Sequence, residues 1–115
     1  MRKIVFIAGP YSANGEIKVF ENMRAGIDLA SRCALLGYAP YCPFLDYQYI
    51  LCNITDEHFS AEQFKEICLS FLAKSDAVLL CPGWEKSVGA QSEVKRATEL
   101  GIPIFLDLME LRNNV

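Results

Sequence analysis

Histidine is almost absent from this chain of 115 residues, in which His58 is the single example. Hydrolases of the Ser-His and Cys-His types need an imidazole beside the nucleophile to take its proton. His58 lies in a polar stretch, and the sequence offers no second histidine. We therefore expect His58 to be a solvated surface residue, and we expect neither type of hydrolase.

The cysteines are too scattered for a metal site or a disulfide framework. They are odd in number and form neither a Cys-x-x-Cys pair nor a zinc-ligand spacing. The acidic residues also lack metal-ligand spacing. We expect reduced core thiols in a cytoplasmic protein that binds no metal and no cofactor. The five are Cys33, Cys42, Cys52, Cys68 and Cys81.

Positive charge and long apolar runs are also scarce. A net charge of −3 provides no electrostatic footprint for a nucleic-acid polymer. No apolar run reaches the length that crosses a bilayer, and the basic residues at 1–3 lead into a strand pattern, not a signal peptide. We expect neither a membrane nor a nucleic-acid partner. A small anionic ligand remains open, because a helix N-terminus supplies local positive potential.

Apolar strands alternate with amphipathic helices throughout the chain, which we interpret as one domain, residues 1–115. We predict strands at 3–8, 38–42, 77–81 and 102–106, helices at 16–36 and 87–101, and a short terminal helix at 107–112. Between the second and third strands, Ser60 and Gln63 predict a capping box that begins another helix. The inward stripe of that helix is expected to be Phe64, Ile67, Cys68, Phe71 and Leu72. This order predicts right-handed crossovers and a parallel α/β sheet with strand order 2-1-3-4. The stripe of the first helix expected to face the sheet is Phe20, Met23, Ile27, Ala30 and Ala34.

A carboxylate interrupts the inward stripe of the third helix. Ala90 and Ala97 recur at helical spacing, and Glu93 lies between them. Glutamate is rarely buried without a partner. This helix also begins at the carboxyl end of a buried strand, where open α/β sheets bind ligands. Spacing alone leaves open whether Glu93 is functional or is a rim residue that reaches solvent.

Loops and a helix start surround the same predicted edge. The loop 9–15 lacks the P-loop and GxGxxG patterns, so it is either a plain turn or a donor of backbone amides to an anion. The long connection 43–59 is aromatic and could wall a flat ligand or pack on the sheet. Ser87 is expected to cap the third helix, whose first amides could hold an anion. Trp84 could stack a base or cover the strand end.

Carboxylate chemistry is what these residues offer. A carboxylate nucleophile suits substitution at an anomeric carbon, where it meets an oxocarbenium-like transition state and forms a covalent glycosyl ester. Together the residues predict a nucleotide-like substrate. Its phosphate would lie at the helix start, its sugar over Glu93 and its base against the aromatic connection.

Three segments then form a recognisable pattern. They are Ile7-Ala8-Gly9-Pro10-Tyr11-Ser12, Ser75-Asp76-Ala77-Val78, and Gly83-Trp84-Glu85-x-Ser87-x-Gly89-Ala90-x-x-Glu93 with Ala97 and Gly101-Ile102-Pro103 after it. Together they resemble the nucleoside 2-deoxyribosyltransferase superfamily over nearly the whole chain. The resemblance implies a flavodoxin-like or Rossmann-like three-layer fold with four to five parallel strands. It also implies that Glu93 attacks C1′ of a 2-deoxyribosyl group and displaces the base, which a second base or water then replaces.

The position of Ser87 distinguishes two branches of that superfamily. Six residues before the nucleophile, transferases that act on free nucleosides carry a carboxylate that binds the 5′-hydroxyl. Members that act on 5′-monophosphates carry serine there, because a carboxylate would repel the phosphate. The resemblance therefore implies a 2′-deoxynucleoside 5′-monophosphate N-hydrolase.

The chain departs from the superfamily at two positions. Phe6 stands where a strand-one tyrosine usually orients the nucleophile, and Cys68 stands where an aspartate usually protonates the leaving base. We take Tyr11 and Asp46 as candidate substitutes beside Glu93. The resemblance also implies that a neighbouring subunit completes the site, hence a homodimer or larger homo-oligomer. The expected substrate-binding residues are Gly9, Pro10, Ser12, Trp84, Ser87, Gly89 and Ala90.

Other functions remain open at this point. A true deoxyribosyltransferase would exchange one base for another. A nucleotide-binding module that has lost catalysis is consistent with Phe6 and Cys68. A NAD glycohydrolase is a further alternative, because a glutamate in a related sheet can cleave a nicotinamide riboside.

Overall fold

Parallel strands form a single sheet at the centre of the protein. The computed structural model describes residues 1–11, 13–44 and 60–115. Within these ranges the sheet has four strands in the order β2-β1-β3-β4, and every pairing is parallel. The strands are β1 (Ile4–Ala8), β2 (Ala39–Tyr41), β3 (Ala77–Leu80) and β4 (Ile104–Phe105). The predicted α/β architecture and its strand order are confirmed.

The helices follow the strands and begin at recognisable caps. They are α1 (Glu16–Leu35), α2 (Ala61–Ala73), α3 (Val88–Glu99) and α4 (Leu108–Asn114), with a short 3₁₀ helix (Trp84–Lys86) before α3. Ser60 and Gln63 form a reciprocal capping box at the start of α2. The hydroxyl of Ser87 accepts a hydrogen bond from the Ala90 amide at the start of α3. The predicted capping roles of Ser60 and Ser87 are confirmed.

Each side of the sheet is covered by two helices, which makes three layers. On one side, here called the α1/α4 face, Val5, Ile7 and Leu79 pack with buried residues of α1 and α4. On the other side, the α2/α3 face, Phe6 and Val78 pack with buried residues of α2 and α3. Successive residues of β1 thus alternate between the two faces, as a pleated strand requires.

The inward stripe of α1 differs from the prediction. Phe20 is 63% exposed and Ile27 is 37% exposed, so neither belongs to the core. The buried positions of α1 are Gly26, Ala30 and Cys33, of which only Ala30 belonged to the predicted stripe. The helix is therefore rotated so that small side chains face the sheet, because the ring of Phe44 occupies the space beside Gly26.

Helix α2 buries less than its apolar pattern suggested. Leu72 is completely buried, whereas Phe71 is 48% exposed. One face of the Phe71 ring is nevertheless covered, because it stacks on Tyr41 with ring centroids 4.4 Å apart.

Among the described residues, no helix has both the length and the apolar character needed to span a membrane.

Candidate functional site

The loops after β1 and β3 lie against each other at the carboxyl edge of the sheet. The amide of Cys81 donates to the carbonyl of Ala8 across a 2.8 Å hydrogen bond. A Cβ added to Gly9 would lie 2.5 Å from the Cβ of Cys81, so only glycine allows this approach. Two residues after Cys81, a Cβ added to Gly83 would lie 3.5 Å from the Pro10 ring. The predicted residues Gly9 and Pro10 are therefore adjacent to the loop that leads into α3.

Glu93 lies on the inward stripe of α3, as its spacing predicted. Ala90, one turn before it, is 1% exposed, and Ala97, one turn after it, is completely buried. Burial raises the pKa of the Glu93 carboxyl to about 8. Within the described ranges, this carboxyl accepts no hydrogen bond and forms no ion pair. No side-chain oxygen or nitrogen in those ranges is both fully buried and without a partner, so the oxygens of Glu93 are not fully buried. Glu93 is thus desolvated but still in contact with solvent.

The charge of Glu93 influences the thiol of Cys81, which directly follows β3. Burial, and then the nearby Cys42 and Glu93, raise the pKa of the Cys81 thiol to about 12. Because Cys81 also lies against Gly9, this places the carboxyl of Glu93 near the ends of the two central strands. Cys81 is 3% exposed, and a thiol buried in apolar surroundings is typical of a structural cysteine.

The start of α3 combines a side-chain cap with free amides. Ser87 Oγ accepts from the Ala90 amide at 3.2 Å, so the Ala90 N–H is already bonded. The amides of Val88 and Gly89 have no acceptor in the described part of the chain. The Ser87 hydroxyl proton is also available to a ligand, because the cap uses only its oxygen. These groups can bind an anion at the positive end of the helix dipole.

The loop before α3 is held by the helix itself. The side-chain amide of Gln91 donates to the carbonyl of Glu85, and the amide of Ser87 donates to the carbonyl of Trp84 at 3.0 Å. Trp84 is half-buried and packs on the α2/α3 core cluster. Its ring therefore covers the strand end, which was one of the two roles considered for it.

Tyr11 follows β1 and packs on the α1/α4 face of the sheet. It packs against the α1/α4 core cluster and stacks on Phe44, with ring centroids 5.7 Å apart. Glu93 belongs to α3, on the α2/α3 face.

The two positions that depart from the superfamily pattern are part of the core. Phe6 is completely buried and lies beside Tyr41 of the neighbouring strand, with ring centroids 5.6 Å apart. Cys68 is half-buried and packs against the same α2/α3 cluster. Phe6 has no hydroxyl that could orient Glu93, and Cys68 has no carboxyl that could protonate a leaving base.

Four residues named from the sequence lie outside the described residues, one of which is Cys52, an expected core thiol. The other three are the substrate-binding candidate Ser12, the catalytic candidate Asp46 and the single histidine, His58. Among the residues that the structure does describe, no group of three or more His, Cys, Asp or Glu side chains could hold a metal ion.

Several contacts at this edge were missed in the sequence. Cys81 was interpreted only as part of a buried strand, although the Pro82-Gly83 pair after it is typical of a strand end at a site. The side-chain amide of Asn22 donates to the backbone of Tyr11, and the sequence analysis did not predict this bond. It also did not predict the close packing of Phe44 on Gly26.

Comparison with known families covers almost the entire chain. Residues 3–106 match a family described as a domain of unknown function, DUF4406. The chain belongs to this family. A comparison with curated proteins found no match. The family description names no reaction, so the function has to be argued from the site itself.

Proposed function

We propose that this protein cleaves the N-glycosidic bond of 2′-deoxynucleoside 5′-monophosphates. The observation that carries the proposal is Glu93, a desolvated carboxyl on the sheet-facing stripe of α3 with no protein partner in the described ranges. A fold gains nothing from burying such a group, because transfer of a carboxylate out of water is unfavourable. Perturbed carboxyls at the carboxyl edge of a parallel sheet are typical of active sites.

In the proposed reaction, an ionised oxygen of Glu93 attacks C1′ and forms a glycosyl ester. The C1′–N bond breaks, and its electron pair leaves with the base, which takes a proton from a general acid. Tyr11 is the candidate acid among the described residues. Water then attacks C1′ and releases deoxyribose 5-phosphate, while its proton returns to the acid and Glu93 is regenerated. No cofactor is needed.

The start of α3 supports the choice of a monophosphate. The free amides of Val88 and Gly89 and the hydroxyl proton of Ser87 are suited to bind phosphate oxygens. Glu93 follows about one turn later on the same helix, so a phosphate bound there would hold a sugar close to the carboxyl. The resemblance of the segment 83–93 to the superfamily supports the same assignment.

A homodimer or larger homo-oligomer is part of the proposal. Exposed apolar side chains surround the N-terminal ends of α1 and α3, with Ile17 77% exposed and Val88 82% exposed. Burial of such side chains against another subunit would remove apolar surface from water. Light scattering of the purified protein tests this point, and a monomer at every concentration would remove it.

The test of the function is an incubation with each of the four common deoxynucleoside monophosphates, with free base followed by chromatography. We expect the wild-type protein to release base and deoxyribose 5-phosphate, and Glu93→Ala to release neither. Glu85→Gln is the matched control, because it neutralises an exposed carboxyl in the preceding loop. A new nucleotide formed after addition of an acceptor base would instead indicate a transferase. Turnover of NAD alone would indicate a glycohydrolase.

A nucleotide-binding module is the second candidate, and one observation favours it. A carboxyl with a pKa of about 8 is mostly protonated at neutral pH, which suits hydrogen bonding to a ligand better than nucleophilic attack. Nucleotide binding by calorimetry without release of base from any substrate would establish this alternative.

A further inference from the structure

Helix α1 holds the backbone of Tyr11 through a side-chain amide. Nδ2 of Asn22 donates a hydrogen bond of 3.3 Å to the carbonyl of Tyr11, and the bond is partly buried. Tyr11 is two residues after Gly9, in the loop that lies against the end of β3. The second turn of α1 therefore fixes the course of this loop.

One turn later, the same helix receives an aromatic ring. Phe44 is buried, and its Cδ2 and Cε2 atoms occupy the space where a Cβ on Gly26 would have to be. Gly26 is thus a notch in the helix surface, shaped to the edge of the Phe44 ring. Glycine in a helix interior is less favourable than alanine, so its presence here indicates that the fit of the ring matters.

Phe44 in turn supports the side chain of Tyr11. The two rings stack with centroids 5.7 Å apart and an angle of 27° between their planes. Asn22 and Gly26 are four residues apart, so both lie on one side of α1. The helix therefore fixes the Tyr11 backbone directly and the Tyr11 ring through Phe44.

We propose that Asn22 and Gly26 are positioning residues that fix the Tyr11 side chain in the candidate site. The proposal rests on the proposed function, in which Tyr11 is the candidate acid. Neither residue touches the substrate. Both act by limiting the positions that the Tyr11 phenol can take relative to the leaving base.

The decisive variant is Gly26→Ala, whose methyl group cannot coexist with the present position of the Phe44 ring. We expect the kcat for base release to fall on the order of tenfold, because the Tyr11 ring loses its support. Tyr11→Phe removes the hydroxyl but keeps the stack, and it should lower kcat on the order of a hundredfold. In the Tyr11→Phe background, Gly26→Ala should cause no further loss of kcat.

Asn22→Asp provides a second variant if Gly26→Ala does not fold. The carboxylate has the shape of the amide but cannot donate to the Tyr11 carbonyl, and we expect the same dependence on the Tyr11 hydroxyl. Ser31→Ala is the control on α1, because its hydroxyl donates only to the Ile27 carbonyl of its own helix. This variant should leave kcat unchanged.

A readout that does not need activity separates this proposal from the proposed function. The NMR resonances of the Tyr11 ring should shift in Gly26→Ala and stay in place in Ser31→Ala, because they report on the stacked Phe44 ring. Unchanged resonances, or an equal fall of kcat with and without the Tyr11 hydroxyl, would overturn the proposal. A wild-type protein that cleaves nothing would overturn the proposed function, while shifted resonances would still support the positioning of Tyr11.

Discussion

The first and third strand–helix units of this protein share a plan but differ in the residues on the inner side of their helices. In both, a buried strand ends at the same edge of the sheet and a helix covers one face of it. The inner side of α1 is built from small apolar residues such as Gly26 and Ala30, whereas α3 carries Glu93 between two buried alanines. Because α1 packs well without a charged group, the carboxyl on α3 is not required by the fold.

The two helices also begin differently. Helix α1 follows Gly15, which has a φ of 94° and makes no side-chain cap. Helix α3 follows Ser87, whose hydroxyl caps the Ala90 amide while the amides of Val88 and Gly89 remain free. Both special features of the third unit, the cap with free amides and the carboxyl, thus lie within about two turns of each other. Because these features lie close together, the third unit is the better candidate for the functional site.

A carboxyl placed on the inner side of α1 should do the most damage. We expect Ala30→Glu to lower the free energy of unfolding by about 4 kcal/mol, because it overfills the core and buries a charge. Chemical denaturation measures this effect. Ala25→Glu, at an exposed position of the same helix, is the control and should change little. A mild effect of Ala30→Glu would show that the two units tolerate carboxyls equally.

The reverse change on α3 should stabilise the protein in a pH-dependent way. An unfolded glutamate ionises near its model value of 4.5, whereas Glu93 in the folded protein ionises near 8. Between these values the folded state binds more protons than the unfolded state, so the contribution of Glu93 to stability falls as pH rises. We expect Glu93→Gln to be more stable than the wild type by about 3 kcal/mol at pH 9, allowing for the remaining contact with solvent.

Denaturation curves at several pH values test this expectation. The two proteins should unfold alike near pH 4, separate through the window from about 4.5 to 8, and keep a constant difference above it. Glu85→Gln should follow the wild type throughout. A stability difference between Glu93→Gln and the wild type that does not vary with pH would contradict the buried state of Glu93.

The start of α3 gives a smaller, substrate-dependent effect. Asp and Asn at position 87 can both cap the helix, but only Asp places a negative charge where the phosphate is proposed to bind. We expect Ser87→Asp to lower kcat/KM for the monophosphate by about thirtyfold relative to Ser87→Asn, and to affect the free nucleoside much less. Equal losses on both substrates would remove phosphate from the start of α3.

The cap itself provides the smallest effect. Ser87→Ala should lower the free energy of unfolding by about 1 kcal/mol, because the Ala90 amide loses its acceptor. Ser60→Ala, which breaks the capping box of α2, should cause a similar loss without any change in activity. A loss of activity in Ser87→Ala but not in Ser60→Ala, at equal stability, would show that Ser87 contributes to substrate binding as well as to folding. Identical activities would assign Ser87 to the fold alone.

Much of the fold and part of the site could be predicted from local signals in the sequence. The continuous apolar runs indicated strands buried on both faces, and their alternation with helices determined the strand order. Ser60 and Ser87 are short polar residues at helix starts, where few other roles compete. The place of Glu93 on the inward stripe of α3 followed from helical spacing, because it lies between two inward alanines.

Contacts between distant segments could not be predicted in the same way. The stripe of α1 was placed on Phe20 and Ile27 because a pattern counts apolar side chains and cannot detect a glycine notch. The ring that fills the notch at Gly26 comes from Phe44, after the next strand. The pKa of Glu93 likewise depends on burial, which the packing of the folded chain determines.

The most direct test is the pH dependence of base release by the wild-type protein and by Glu93→Gln. The account predicts that kcat/KM of the wild type rises with pH and levels off above about 8, because only the ionised carboxyl can attack C1′. Glu93→Gln, which keeps the shape of the side chain without a nucleophilic oxygen, should release no base at any pH. Base release by Glu93→Gln at the wild-type rate would contradict the central role of this carboxyl.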